Sequence, residues 1–137
     1  MAQVILQPAS GAEARDHYRD TIQSSVDLNN PTCSGLMSDS EREALSVLYP
    51  EGRAWVWGAR DSMGAQWEKI VNGDHVLFYQ RGAFISAHKV TYKTENLPLA
   101  NYLWNSEWPY IYFLTAPIPI EIPLEEINAA ATPPYNM

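Results

Sequence analysis

The spacing of apolar residues predicts a helix close to the start of the chain. Ala14, Tyr18 and Ile22 recur at intervals of four, which indicates one helical face over residues 11–25. Ser10 followed three residues later by glutamate fits a capping box at the start of this helix.

A second capping-box pattern predicts a short helix further along. Ser38 and Glu41 form the pattern, and Leu45 and Leu48 then fall on one face. Residues 29–38, which contain two asparagines and a proline, are expected to form a loop.

After this point the apolar pattern changes to that of strands, with short helices between them. The apolar runs predict five strands, at 54–60, 75–79, 83–92, 110–115 and 118–122. Short helical stretches are predicted at 63–71, 97–104 and 123–127. The fold class is therefore α+β, a small curved five-stranded sheet or partial barrel flanked by short helices.

The composition favours one globular domain. The chain has 137 residues, 46% apolar and 18% charged, so it is neither disordered nor too small to bury a core. We expect a helical N-terminal segment at 1–53, a sheet core at 54–130 and a linker-like tail at 131–137 that leads into another domain. One cysteine, Cys33, excludes a disulfide framework and a cysteine-rich zinc module, and we predict no metal and no cofactor.

The sequence has no apolar run near the ~18 residues that a membrane span requires. The first residues also lack a basic leader. These features predict a soluble, cytoplasmic protein without a membrane partner.

The charges are unevenly distributed. The net charge is −7, which argues against a protein that binds nucleic acid non-specifically through positive charge. Only residues 54–94 are net positive, with five bases against three acids. All five tryptophans lie between residues 55 and 108, so the basic segment largely coincides with the tryptophan-rich one.

Catalytic motifs are absent from the sequence. It has no nucleophile elbow, no phosphate loop and no zinc-binding His pair. Asp61 and Asp74 could meet in space, but an acid pair without a base or a metal is a weak signal for an enzyme. We therefore predict a binding domain, with any nuclease or NTPase activity in another domain or subunit.

The tryptophans and their polar neighbours suggest a site for a flat ligand. Trp55 and Trp57 share one face of a predicted strand, and polar residues follow at its end. Trp104 and Trp108 flank the polar loop 105–107. Indole walls and a few polar groups would hold a nucleobase by stacking and hydrogen bonding, although a tryptophan-rich core is the alternative.

These same segments carry a resemblance to a known superfamily. The segments 57–62, 67–70, 73–79, 99–104 and 108–114 resemble the PUA-like superfamily, in its EVE and YTH branches. The resemblance covers residues 54–130 and is closest to the YTH-like N-terminal DNA-binding domains of McrB-type modification-dependent restriction proteins.

The resemblance implies a reader of modified bases, which flips a base from the duplex into an aromatic cage. The base-binding residues implied or proposed are Trp57, Asp61, Ser62, Trp67, Tyr79, Trp104 and Trp108. Candidate phosphate or groove contacts are Arg60, Arg81, Lys89 and Lys93.

The leading hypothesis is a specificity domain that binds methylated double-stranded DNA for a nuclease or NTPase partner. N6-methyladenine is the preferred ligand, followed by 5-methylcytosine and 5-hydroxymethylcytosine. Two alternatives remain open: an RNA-binding PUA-like module for a modified or single-stranded nucleotide, and a protein-interaction or small-ligand domain with a tryptophan-rich core.

Overall fold

The computed structural model describes residues 3–123 and residue 125. The helices are α1 (Ala12–Tyr18), α2 (Pro31–Gly35), α3 (Asp39–Leu48), α4 (Gly64–Glu68) and α5 (Leu97–Trp104). A π-helical turn (Arg19–Gln23) extends α1, and a 3-10 turn (Asp61–Met63) precedes α4. The strands are β1 (Val4–Pro8), β2 (Val26–Asp27), β3 (Arg53–Ala59), β4 (His75–Gln80), β5 (Ala83–Glu95), β6 (Tyr110–Leu114) and β7 (Ile118–Pro123).

The strands form one sheet in the order β1-β4-β5-β6-β3-β2, and β7 pairs with β5. Only the β1–β4 pair is parallel among these strands. The long β5 pairs with β4 and β7 along its first half and with β6 beyond Val90, where its register shifts. Such an irregularity bends a strand, so one strand links two differently paired parts of the sheet.

The α+β class is confirmed, but the predicted count of five strands is wrong, because the described chain contains seven. β1 is an edge strand with only three consecutive aliphatic residues and no alternation, so its sequence has no period to detect. β2 has two residues and lies where the predicted helix 11–25 should have ended. The segment 1–53 thus supplies strands as well as helices.

Two further local predictions had different outcomes. The predicted loop 29–38 contains α2, which Asn30 caps by accepting from Thr32 N and Cys33 N. The predicted helix 123–127 lies almost entirely outside the described residues.

The two capping boxes also differ. Ser38 Oγ accepts from Glu41 N at 3.1 Å, and a Glu41 carboxylate oxygen accepts from Ser38 N at 2.7 Å, which confirms the second box. The first box is wrong, because Gly11 is the N-cap of α1 and no side chain caps this end. Glu13 is therefore available for contacts elsewhere.

Several polar groups are buried in structural roles. Asp74 is fully buried and accepts hydrogen bonds from the main chain of Gln3 and Val71, and so ties the entry of β1 to the turn before β4. Asp61, the acid that could have met Asp74 in space, is exposed, and the hydrogen-bond partners of the Asp74 carboxylate are Gln3 and Val71. Cys33 is buried, and burial raises the pKa of its thiol to about 11, so it stays protonated.

No helix in residues 3–123 is long and apolar enough to cross a membrane. Within this same range, no group of three or more His, Cys, Asp or Glu side chains could hold a metal ion.

Candidate functional site

Three tryptophans from different parts of the chain lie close together, and two of them pack against one histidine. Trp57 lies on β3, Trp104 ends α5, and Trp108 lies just before β6. The ring centroids of Trp57 and Trp108 are 5.6 Å apart, and those of Trp104 and Trp108 are 6.1 Å apart. His17 of α1 stacks on Trp104 at 5.4 Å and meets Trp108 edge-on at 4.1 Å. We call these four residues the aromatic cluster.

The backbone is adapted to bring these rings together. Gly58 faces Trp104 so closely that a Cβ atom there would lie 2.6 Å from its ring and 3.0 Å from the Trp108 carbonyl oxygen. The Trp104 indole Nε1 donates to Thr21 Oγ1 at 3.0 Å, which anchors α5 on the π-helical turn. Asn105 ends α5 in the left-handed conformation, with φ of 52°, and turns the chain towards Trp108.

A polar depression adjoins the cluster. Glu13 is central to it, since its carboxylate accepts from Arg60 Nη2 at 2.9 Å and from Ser106 Oγ at 3.1 Å. The Arg60 guanidinium carbon also lies 5.8 Å from the centroid of the Trp108 ring. The depression has a volume of about 510 Å³ and is lined by Glu13, Arg60, Asp61, Ser62, Asn105, Ser106, Glu107 and Trp108. We call it the mouth.

A smaller, mainly apolar cavity shares two residues with the mouth. Arg60 and Trp108 line both. The cavity has a volume of about 170 Å³ and is lined by Gln7, Pro8, Ala14, Trp57, Gly58, Ala59, Arg60, Met63 and Trp108. A ligand with one flat apolar body and one polar edge would match this arrangement.

The charges at the mouth are fixed by their neighbours. Burial tends to raise the pKa of Glu13, but hydrogen bonds from Arg60 and Ser106, with the charges of His17 and Arg60, lower it overall. Burial lowers the pKa of His17, although nearby acids including Glu13 oppose this. Glu13 is therefore ionised and His17 neutral at neutral pH.

His17 has an incomplete set of hydrogen bonds. Its Nε2 atom lies 3.3 Å from Ser106 Oγ, whereas Nδ1 is buried and has no partner among the described residues. A buried nitrogen without a partner is unusual and costs stability.

The structure brings together part of the predicted site. Six of the predicted residues line the cavity or the mouth or belong to the aromatic cluster: Trp57, Arg60, Asp61, Ser62, Trp104 and Trp108. Asp61 and Ser62 are exposed, and their side chains make no hydrogen bond within residues 3–123.

The other predicted residues occupy different places. Trp67 packs α4 onto the sheet, with its Nε1 donating to Ile111 O at 3.2 Å and Lys93 Nζ lying 4.2 Å from its ring centroid. Tyr79 packs edge-on against a β5 ring, Arg81 lies at the tip of the β4–β5 hairpin, and Lys89 is exposed on β5. None of these five side chains lines the cavity or the mouth.

Sequence reasoning missed Glu13, His17 and Met63 as parts of this region. Glu13 was assigned to a cap, and His17 had no metal-ligand spacing to draw attention to it. The only sequence signal that Ser106 belongs to this region is its position in the polar loop 105–107, between Trp104 and Trp108.

Comparison with known proteins reveals a similarity to solved structures but to no known family. The chain matches no family model and no curated protein. Its structure is similar to that of the YTH domain of Zygosaccharomyces rouxii MRB1 protein in complex with N6-methyladenosine RNA. The TM-score is 0.49 at 11% sequence identity, and the match covers 93% of this chain and 65% of that one. A similarity at this level does not assign a ligand to this chain, and the closeness to McrB-type domains stays a prediction.

Proposed function

We propose that this chain binds single-stranded RNA and holds one modified nucleobase in the cavity beside Trp57 and Trp108. The observation that carries the proposal is the apolar cavity that adjoins a polar mouth. Its volume of about 170 Å³ suits the methyl-bearing six-membered ring of a purine, with the rest of the base towards the mouth, since a protein cavity of about 150 Å³ holds benzene.

The chemistry of the lining fits a methylated base. Met63, which is 45% exposed, offers an adaptable apolar side chain, whereas Trp57 and Trp108 are only 1% and 8% exposed and form the buried side of the cavity. Asp61 and Ser62 supply an acceptor and a donor whose hydrogen bonds are unused within the described chain. A methyl group in such a pocket is worth about 1–3 kcal/mol, which allows selective recognition.

Entry of a base requires little rearrangement. Arg60 lies between mouth and cavity and is held by its ion pair with Glu13. Both side chains are about half exposed or more, at 64% and 46%. An exposed ion pair of this kind contributes about 0–1 kcal/mol, so a ligand can displace Arg60 from the Trp108 ring at small cost.

Charge favours a single strand over a duplex. Flipping a base from a duplex costs a few kcal/mol, and tight duplex binding draws on several phosphate contacts. With a net charge of −7, this chain is poorly equipped to compensate for that cost. Bases in single-stranded RNA are already accessible, so we rank RNA above methylated double-stranded DNA with a nuclease partner.

The test is fluorescence polarisation with labelled strands of one sequence. The set comprises unmodified RNA, N6-methyladenosine RNA, the equivalent methylated single-stranded DNA and the methylated DNA duplex. We expect methylated RNA to bind about tenfold more tightly than unmodified RNA, or about 1.4 kcal/mol. If the methylated duplex binds most tightly, the result favours the methylated-DNA hypothesis over RNA. Equal binding of all four strands would contradict recognition of a modified base in RNA or in DNA.

Variants at the mouth separate recognition from folding. Asp61→Asn and Ser62→Ala alter exposed side chains, so we expect normal melting temperatures but a several-fold smaller preference for the methylated strand. Glu43→Gln and Ser24→Ala make equivalent exchanges at exposed side chains that form no hydrogen bond within residues 3–123, and they serve as matched controls.

A further inference from the structure

A second groove lies beside the start of α1. It has a volume of about 370 Å³, and its lining includes Pro8, Arg15, Tyr79, Gln80 and Arg81. We call it the arginine groove. It is built by the end of β1, the first turns of α1 and the β4–β5 hairpin.

The two arginines of this groove have no direct partner in the described chain, a property that they share with Arg53 on β3. Neither Arg15 nor Arg81 makes a side-chain hydrogen bond or an ion pair within residues 3–123. Arg19, by contrast, is paired with Asp16 and Asp20. The positive charges of Arg15 and Arg81 therefore remain uncompensated by direct contacts at one groove.

Arg81 also occupies a conformation that does not suit it. It has φ of 53°, and the following Gly82 has φ of 84°, so both central residues of this two-residue hairpin turn are left-handed. Such turns favour asparagine or aspartate followed by glycine. An arginine here is conformationally unfavourable, and its side chain gains no hydrogen bond or ion pair within residues 3–123 that would offset this.

The groove adjoins the proposed base cavity. Pro8 lines both, and consecutive residues of α1 divide between them, with Ala14 at the cavity and Arg15 at the groove. A strand whose base enters the cavity would therefore have its backbone close to Arg15.

We propose that the arginine groove binds the phosphodiester backbone of the nucleic-acid strand, with Arg15 and Arg81 contacting phosphate oxygens. The guanidinium group suits this role because its donors match two phosphate oxygens at once. The proposal rests on the proposed function for its choice of ligand, and it assigns the sequence-independent part of the affinity to these two residues.

The experiment uses an abasic single-stranded oligonucleotide, which offers phosphates without bases, and the full chain at low and moderate salt. We expect Arg15→Ala and Arg81→Ala each to weaken binding at least about fivefold and to reduce the salt slope by about 0.7. Arg53→Ala removes an exposed arginine of β3 and should leave binding nearly unchanged.

Arg81→Asn separates a ligand contact from a structural role. Asparagine accepts the left-handed conformation better than arginine, so this variant should melt at a higher temperature than wild type yet bind the abasic strand less tightly. A variant that is more stable and binds as well as wild type would overturn the assignment of Arg81.

The outcomes distinguish this proposal from the reader itself. No binding of the abasic strand by wild type at low salt, or equal binding by all arginine variants, overturns the groove even where methylated RNA is preferred. Loss of binding in the Arg15 and Arg81 variants, with no preference for a methylated base, supports the groove and contradicts the reader.

Discussion

Two histidines are buried to nearly the same extent, but within the described chain only one of them has a complete set of hydrogen bonds. His17 and His88 are 3% and 2% exposed, and burial lowers the pKa of both. His88 has complete hydrogen bonds, with Nδ1 2.9 Å from Thr115 O and Nε2 3.0 Å from Ser86 Oγ. His17 has one long contact to Ser106 and one nitrogen without a partner among the described residues.

The difference separates a structural group from a candidate site. The hydrogen bonds of His88 link β5 to the segment after β6. The Tyr18 hydroxyl adds to this network through its 2.7 Å hydrogen bond with Ser86 Oγ. His17 instead packs between two tryptophans beside an open polar depression. An incompletely bonded buried nitrogen next to exposed polar groups marks His17 as a group without a purely structural role in the described chain.

The largest expected effect is on stability when His88 becomes phenylalanine. His88→Phe keeps an aromatic ring, although a larger one, but leaves Thr115 O without its partner and Ser86 Oγ with Tyr18 alone. We expect a loss of about 2–4 kcal/mol in the free energy of unfolding, measured by urea denaturation. A loss below about 1 kcal/mol would mean that these bonds are not important to the fold.

The second prediction concerns pH. Because the folded-state pKa of each histidine is below the unfolded value near 6.5, the unfolded chain binds more protons as pH falls below 6.5. Stability should therefore be constant above about pH 7 and fall below 6.5, by up to about 1.4 kcal/mol per pH unit for each histidine. Urea midpoints from about pH 8 to about pH 5 measure this, and each His→Phe variant should flatten the fall.

The smallest expected effect is the matched change at the other histidine. His17→Phe removes Nδ1, which has no partner among the described residues, and the long 3.3 Å contact of Nε2 with Ser106 Oγ, and it keeps an aromatic ring beside Trp104 and Trp108. We expect the free energy of unfolding to change by less than about 1 kcal/mol. If this variant loses as much stability as His88→Phe, the contrast between the two histidines is not real.

Sequence patterns correctly predicted the elements that are determined by residues close together in the sequence. The β4–β5 hairpin, α5 and the Ser38 capping box follow from turn residues, periodicity and a cap, and all are present. β1 and β2 depend on pairing with residues distant in sequence, His75–Tyr79 and Arg53–Ala54, so no local pattern could reveal them.

The candidate site was predictable to a similar degree. Polar loops next to tryptophans pointed to Asp61, Ser62 and Trp108, which lie together. The sequence could not show that Trp57 lines the cavity and Trp67 does not, because contacts with residues distant in the sequence decide it. Trp57 packs on Trp108, whereas Trp67 contacts Lys93 and Ile111. The role of Glu13 depends on a contact with Arg60, 47 positions away.

The most direct test of the central claim compares Trp108→Leu with Trp67→Leu. The measured quantity is the ratio of affinities for methylated and unmodified RNA, which is unaffected if part of a variant is unfolded. We predict a ratio of about ten for wild type and Trp67→Leu, and a ratio near one for Trp108→Leu. A Trp108→Leu variant that keeps the wild-type ratio would contradict recognition of the modified base at this cavity.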